Sequence, residues 1–307
     1  MAKGDLIGVV TVSYNSADVL PDFLRCMTTQ THREYLLFVV DNASKDTTEH
    51  ILRKCADERL RIIANPDNRG VAEGNNQGIR AALDAGCQSV LLINNDTEFE
   101  STLIAQLDEG LDRYCVDMVC PKMLYYHEPK RIWAAGGELQ PWLGYRSRHF
   151  GLLAEDDGTY DTPITITYIP TCCVLLRSTV IRTIGLMDPL YFVYLDDVDF
   201  MYRAYKAGLK LMYLPNISLL HKVGGSTGGE NGPFYVRFST RNRVYYLLKH
   251  FGIIRSGPWL LVEQIFFLYR FLFRKDSWTD MILRQRSFCD GFGVFRKSRQ
   301  KCASGTD

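Results

Sequence analysis

Short apolar runs alternate with amphipathic stretches over the first hundred residues of the chain. Residues 6–12, 35–40, 60–64 and 89–93 have strand length and are rich in β-branched and aromatic side chains. Between them, 17–29, 47–56 and 74–85 repeat apolar positions at helical spacing. This rhythm predicts an α/β fold with a mostly parallel central sheet and helices on both faces. From 121 to 170 the pattern loosens into Gly-, Pro- and aromatic-rich segments, which predict hairpins and a mobile loop with a solvated turn at 155–158. Order returns with a strand at 172–176, helices at 178–184 and 197–207, and a strand at 210–214. No internal repeat or low-complexity tract interrupts it.

In a parallel sheet covered on both faces, ligands bind beyond the carboxyl ends of the strands. Four compact polar clusters fall there: Ser13-Tyr14-Asn15, Asp41 to Asp46, Asn68-Arg69-Gly70, and Asn94-Asn95-Asp96. Each alone is ordinary turn chemistry; four on one rim predict a binding site. Asp41 suits a nucleobase N–H or a ribose hydroxyl, and Arg69 suits diphosphate oxygens or a ribose. Asp96, with an amide oxygen of Asn94 or Asn95, offers the hard oxygen ligands that Mg²⁺ or Mn²⁺ takes beside a diphosphate. Gly70, Gly74 and Gly78 recur every fourth residue, unlike a dinucleotide fingerprint, and predict close helix–sheet packing.

A second cluster, Asp196-Asp197-Val198-Asp199, opens a predicted helix behind the aromatic residues Tyr191, Phe192 and Tyr194. Acids at a helix start favour its dipole, which accounts for Asp199. The aromatic approach predicts a partly desolvated carboxylate at Asp196 or Asp197, with a pKa raised toward that of a general base. His221 follows an apolar run and precedes a glycine-rich stretch at 224–229 with the composition of a closing lid. Its imidazole is an available nitrogen ligand for Mn²⁺.

Composition adds the setting. Hydrophobic residues make up 46% and charged residues 23% of the 307, ordinary values for a globular chain able to bury a large core. The nine cysteines contain no C-x-x-C, and Cys87, Cys115 and Cys120 stand in apolar surroundings, so reduced thiols in a cytosolic compartment are expected. No secretory pattern opens the chain, and the longest apolar run, 258–273, is too short and too interrupted to span a bilayer. The net charge of +1 is uneven: from Arg241 onward there are 13 Lys/Arg against 5 Asp/Glu, leaving 23 against 30 before it. An acidic body argues against nucleic-acid binding.

The ordered set V-S-Y-N, V-D-N-A-S-K-D, N-x-G-V-A-x-G-N-N-x-G, L-I-N-N-D-T and Y-L-D-D-V-D-F-x-x-R with a late His resembles family 2 glycosyltransferases. Within them it is similar to bacterial rhamnosyltransferases of polysaccharide and O-antigen assembly. Ala134 to Gly137, the run from Arg177 to Asp188, His221 with Ser226, and Arg241-Asn242 add to that likeness, which covers about residues 6–250. The resemblance implies an inverting, metal-dependent enzyme of GT-A fold. Its catalytic domain would be 1–250, with 1–120 binding nucleotide sugar and 121–250 binding acceptor. By motif, Ser13, Asn15, Asp41, Asn68, Arg69, Asn75, Asn94 and Asn95 would hold the donor. Asp96 and His221 would hold Mn²⁺ or Mg²⁺, and Asp197, with Asp196 beside it, would be the base. The metal motif reads N-N-D, so Asp96 is its only carboxylate. The donor implied first is dTDP-rhamnose, then a UDP-hexose; the acceptor is a glycan or lipid-linked hydroxyl.

Beyond residue 251 the chain is aromatic and basic: Trp259, Phe266, Phe267, Tyr269, Phe271 and Phe273 lie near Arg270, Arg274 and Lys275. Two readings fit a helical tail at 251–307: an amphipathic helix in the inner leaflet of a membrane, or a helix packed on the body or on a second copy. Two rival functions also stand. A nucleotidyltransferase would share the sheet and metal, though no Gly-rich phosphate loop with Lys lies near the amino terminus. A silent nucleotide-sugar binder would need no base.

Overall fold

A computed structural model describes residues 5–223 and 232–304, with side chains through residue 300. The first half alternates strand and helix: β1 (Ile7–Ser13), α1 (Leu20–Thr28), β2 (Tyr35–Asp41), α2 (Thr48–Lys54), β3 (Leu60–Ala64), α3 (Gly70–Asp84) and β4 (Ser89–Ile93). There follow β5 (Thr97–Phe99), α4 (Leu103–Arg113), β6 (Met118–Tyr125), β7 (Ile132–Ala134), β8 (Gly137–Gln140), β9 (Arg146–His149) and β10 (Ile164–Ile166). The remainder is β11 (Cys173–Arg177), α5 (Ser178–Ile184), α6 (Asp196–Lys206), β12 (Leu211–His221), α7 (Pro233–Leu272) and α8 (Trp278–Ser304).

The sheet runs β10-β12-β6-β11-β4-β1-β2-β3. Strands β3, β2, β1 and β4 are mutually parallel; β11 enters antiparallel between β4 and β6, and β12 returns parallel to β6. Short β5, β7 and β10 pair antiparallel at the margins, and β8–β9 forms a separate hairpin. The central strands are buried, as parallel strands covered on both faces must be.

The glycine spacing of α3 does what it predicts. A Cβ on Gly74 would stand 2.8 Å from Val12, and one on Gly78 would stand 2.2 Å from Val10. Helix α3 therefore lies against β1 at a distance that only glycine permits. Gly70 begins that helix at φ +80°, where a Cβ would meet the Phe192 carbonyl at 2.4 Å. The same carbonyl accepts a hydrogen bond from Val71 N at 2.6 Å. The amino end of α3 is thus fastened to the segment that leads into α6.

Two sequence expectations, on Cys115 and on the run 258–273, need correction. Cys115 is exposed rather than in an apolar setting, while Cys87 and Cys120 are buried; the described cysteines are all unpaired. The 155–158 turn is solvated as expected, and Asp156 there accepts from the buried Lys122 Nζ at 2.6 Å. The apolar run 258–273 belongs to a longer helix, and by length and composition alone α7 could cross a membrane. That helix is broken at Gly252 (φ 71°), and its inner face is fastened to the body through polar groups. Glu263 is buried and accepts from Arg243 Nε at 3.2 Å and from Arg146. The glycine-rich stretch at 224–229 lies outside the described residues.

Candidate active site

Strands β1, β2 and β4 end side by side, so their polar tails share one rim. Ser13, fully buried, closes β1, and its hydroxyl accepts from Asn95 Nδ2 at 2.7 Å; the same amide reaches Val12 O and Ser16 Oγ at 3.2 Å each. Asn95 therefore ties the end of β4 to that of β1, and only its neighbours face outward. Asn94 is exposed; Asp96 is part-exposed. Asp41 ends β2 with its carboxylate accepting from Ser44 Oγ at 2.5 Å. Asn15, exposed and at φ 51°, accepts from Lys45 N at 2.8 Å, which lashes the β1 tail to the β2 tail. Asn68 accepts from Gly70 N at 2.9 Å, and Arg69 is exposed beside Asp67. Asn75 is buried, with its amide nitrogen 3.8 Å from the Met187 sulfur.

His221 ends β12 opposite Thr97 of β5, which brings it to Asp96 although 125 residues separate them in sequence. Its Nε2 lies 3.2 Å from Asp96 Oδ1. Asp96 Oδ1 and His221 Nδ1 are both buried without a hydrogen-bond partner. Burial alone would lower the imidazole pKa, but the Cys172 thiol and the Asp96 carboxylate outweigh it and raise it to about 10. The pair also fits a divalent cation. Two ligand atoms each about 2.1 Å from a metal and at right angles stand about 3 Å apart. Among the described residues no three His, Cys, Asp or Glu side chains form a cage. The protein would thus supply two ligands, and phosphate oxygens and water the others, as suits Mg²⁺ or Mn²⁺. Loading would displace the imidazole proton from the ligating nitrogen.

The acidic pair arrives through a strained turn. Phe192, Tyr194 and Leu195 all have positive φ (66°, 63° and 60°), a costly conformation for bulky residues. Asn242 of α7 holds it. Its buried side-chain amide donates to the carbonyls of Tyr191, Val193 and Tyr194 at 2.9, 2.7 and 2.8 Å. Arg241 adds bonds to the carbonyls of Leu190 and Tyr191 at 3.0 and 2.6 Å. The Arg241-Asn242 dipeptide was legible only as part of a resemblance; its work is to brace this turn.

Asp196 and Asp197 then differ in surroundings. Asp196 is buried, and burial with the charge of Asp197 pushes its carboxyl up to about 8. Asp197 keeps some exposure. Its Oδ2 accepts from Tyr168 Oη at 2.6 Å and its Oδ1 from Val198 N at 2.7 Å. Burial raises its pKa too, while those two donors and the nearby His149 favour the anion. Burial thus raises both carboxyls, Asp196 with no side-chain donor to oppose it and Asp197 against the donors that favour its anion.

Three aromatic residues that sequence reasoning missed connect the two halves of the site. The Trp133 ring stands edge-on to His221 at 4.5 Å and to His149 at 5.1 Å, and His149 tilts over Tyr168 at 5.6 Å. Asp96, His221, Trp133, His149, Tyr168 and Asp197 thus form one continuous wall.

The sequence and fold that carry this Asp–His pair and acidic pair have counterparts among known proteins. The sequence model of glycosyl transferase family 2 matches residues 8–185. The chain belongs to that family. It is a glycosyltransferase of GT-A fold. Among its relatives, the low-salt glycan biosynthesis hexosyltransferase Agl10 of Haloferax volcanii is 24% identical over 241 residues, 74% of this chain and 76% of its own. The dTDP-rhamnosyl transferase RfbF of Shigella flexneri is 23% identical over 268 residues, 85% of each chain. The N-acetylglucosaminyl-diphospho-decaprenol L-rhamnosyltransferase of Mycobacterium tuberculosis is 23% identical over 274 residues, 82% of this chain and 87% of its own. Among solved structures, GalNAc-T7 with UDP, GalNAc and Mn²⁺ superposes with a TM-score of 0.57 at 15% identity, and S. aureus TarS with 0.52 at 15%. Those matches cover 78% and 86% of this chain but only 48% and 43% of the solved chains. They bear on the fold alone.

Proposed function

We propose that the enzyme moves a sugar, with inversion, from a nucleoside-diphosphate donor to a hydroxyl of a glycan or lipid-linked acceptor in cell-surface polysaccharide synthesis. The observation that carries this is the placement of Asp197, part-exposed at the start of α6 with its carboxylate bonded by Tyr168 Oη and Val198 N, beside the buried Asp196. The acceptor hydroxyl gives its proton to Asp197, its oxygen forms the bond to the anomeric carbon, and the bond from that carbon to the diphosphate oxygen breaks. Asp196 stays protonated and keeps a second charge away. Asp41, Asn15 and Arg69 hold the nucleoside and its phosphates. A divalent metal at Asp96 and His221 would stabilise the charge on the departing diphosphate. The catalytic unit in this reading is 1–250, with donor bound by 1–120 and acceptor by 121–250. The names of the Shigella and Mycobacterium relatives make dTDP-rhamnose the first donor to test and a UDP-hexose the second.

Thermal shift with a panel of nucleotide sugars, with and without Mn²⁺, tests the donor. A ligand at 100 times its Kd stabilises by about 2.7 kcal/mol. A Mn²⁺-dependent rise with dTDP-rhamnose is expected; a rise with UDP-hexoses alone replaces the donor, and no rise with any donor removes the reading.

Tyr168 gives a second check. Asp197 acts as base only when ionised, so turnover falls as pH drops through its elevated pKa. Tyr168→Phe removes a donor that favours the anion, so the acid limb of the pH–rate profile is expected to move to higher pH. A limb that stays in place separates Tyr168 from the base.

A further inference from the structure

After Gly252, α7 carries two faces of opposite character. Ser256, Leu260, Glu263 and Phe267 are buried toward the body and α8. The opposite face presents Ile254, Leu261, Val262, Ile265, Leu268 and Leu272, all at least half exposed. At 100° per residue these positions form one stripe about five turns long, and no charged residue lies within it. Cations flank it, with Arg255 at one end and Arg274 and Lys275 at the other, all exposed. Tyr269, Phe273 and Trp278 stand exposed near the latter end.

Two of the four described acids of this hairpin of helices, Glu263 and Asp276, are neutralised by ion pairs. Glu263 is paired with Arg146 and Arg243 and Asp276 with Arg270 and Arg284, whereas Asp280, bonded to Ser277, keeps its charge. The charges that border the stripe itself, Arg255, Arg274 and Lys275, are all positive. A second copy laid on the stripe would bring like charge against like, whereas an anionic lipid surface would complement it.

We infer that the α7–α8 hairpin docks the enzyme on an anionic bilayer surface, with the Ile254–Leu272 stripe lying in the headgroup–acyl boundary and the flanking cations on lipid phosphates. The helix lies in the plane of the interface, because its other face is committed to the body through Glu263. Trp259, one turn before Glu263, donates from Nε1 to the Trp142 carbonyl at 3.1 Å, and Arg146 of β9 reaches Glu263 itself. The β8–β9 hairpin, on the side assigned to the acceptor, is thus bolted to the docking helix.

Vesicle flotation of the full chain tests this without reference to any donor or acceptor, so its failure is separable from failure of the glycosyltransfer reading. The full chain is expected to float with phosphatidylcholine–phosphatidylglycerol vesicles and not with phosphatidylcholine alone. Leu261→Glu with Ile265→Glu, both at solvent-exposed positions, is expected to abolish flotation without moving the melting temperature. Arg274→Ala with Lys275→Ala is expected to weaken binding about 25-fold, roughly fivefold for each cation removed. Equal flotation of the Leu261/Ile265 variant overturns the proposal. So does failure to float together with a dimer, seen by light scattering, that the same pair of substitutions dissociates; the stripe is then a subunit contact.

Discussion

Asp197→Asn is expected to fold, bind donor with wild-type affinity, and lose turnover by about 10²- to 10⁴-fold, the usual worth of a positioned general base. The substitution keeps the shape and one oxygen for Val198 N, while Tyr168 Oη can turn to accept from the new amide NH2, but the basic site is removed. Asp196→Asn is the informative partner. Because burial already holds Asp196 protonated up to about pH 8, an amide there changes little at neutral pH, and most turnover is expected to remain. Initial rates of both variants, with donor affinity measured separately, decide the assignment. If Asp196→Asn loses as much as Asp197→Asn, the charge is shared differently and the base belongs to the pair. If Asp197→Asn turns over freely, the base lies elsewhere.

The sequence carried the alternation of β1 to β4 because parallel strands buried on both faces are written as unbroken apolar runs. It did not carry β6, although β6 sits in the middle of the sheet. Pro121 interrupts that strand, and a proline argues against a central position. The structure accommodates it opposite Leu214, where the β12 register shifts before resuming at Ser218. Helix α4 was similarly hidden. Leu103, Leu107 and Leu111 repeat at helical spacing, but Gly110 weakens the pattern. Gly110 is there because a Cβ would stand 2.4 Å from Leu214. In both cases a tertiary contact selected a residue that local propensity reads as a break.

The site divides along the same line. Residues at strand ends, such as Asp41 and Asp96, are legible because the topology tells where a strand end must point. Trp133, His149 and Tyr168 are not, since they come from short irregular strands and loops that reach Asp197 and His221 only through the fold. Asp199 shows a third case. Acids at a helix start have a ready explanation in the dipole, and that explanation placed Asp199 correctly as structural but for the wrong reason. Its partners are not helix N–H groups alone but side chains from other parts of the chain.

Asp199→Ala is accordingly expected to destabilise the fold by about 3 kcal/mol, the lower end of what breaking a buried ion pair costs. Asp199 is fully buried and accepts from Lys249 Nζ and His250 Nε2 at 2.7 Å each, from Arg203 Nε at 2.9 Å and from Tyr191 Oη at 3.1 Å. Removing the carboxylate leaves the Lys249 and Arg203 cations beside one cavity. They retain 20–25% of their side-chain exposure, so water relieves part of the penalty, which is why the lower figure applies. Although burial opposes ionisation, those cations hold the Asp199 carboxyl well below the usual carboxylate range. A depressed folded-state pKa contributes stability that is present above the unfolded value of about 4 and lost as pH falls below it. Urea unfolding of wild type and Asp199→Ala should therefore differ most at neutral pH and converge as pH falls below about 4. Because Lys249 and His250 lie on α7 and Asp199 on α6, the same carboxylate couples α6 to the helix whose Asn242 braces the turn before it. A loss of stability with the same gap at every pH would mean that packing, not this charge, joins the two helices.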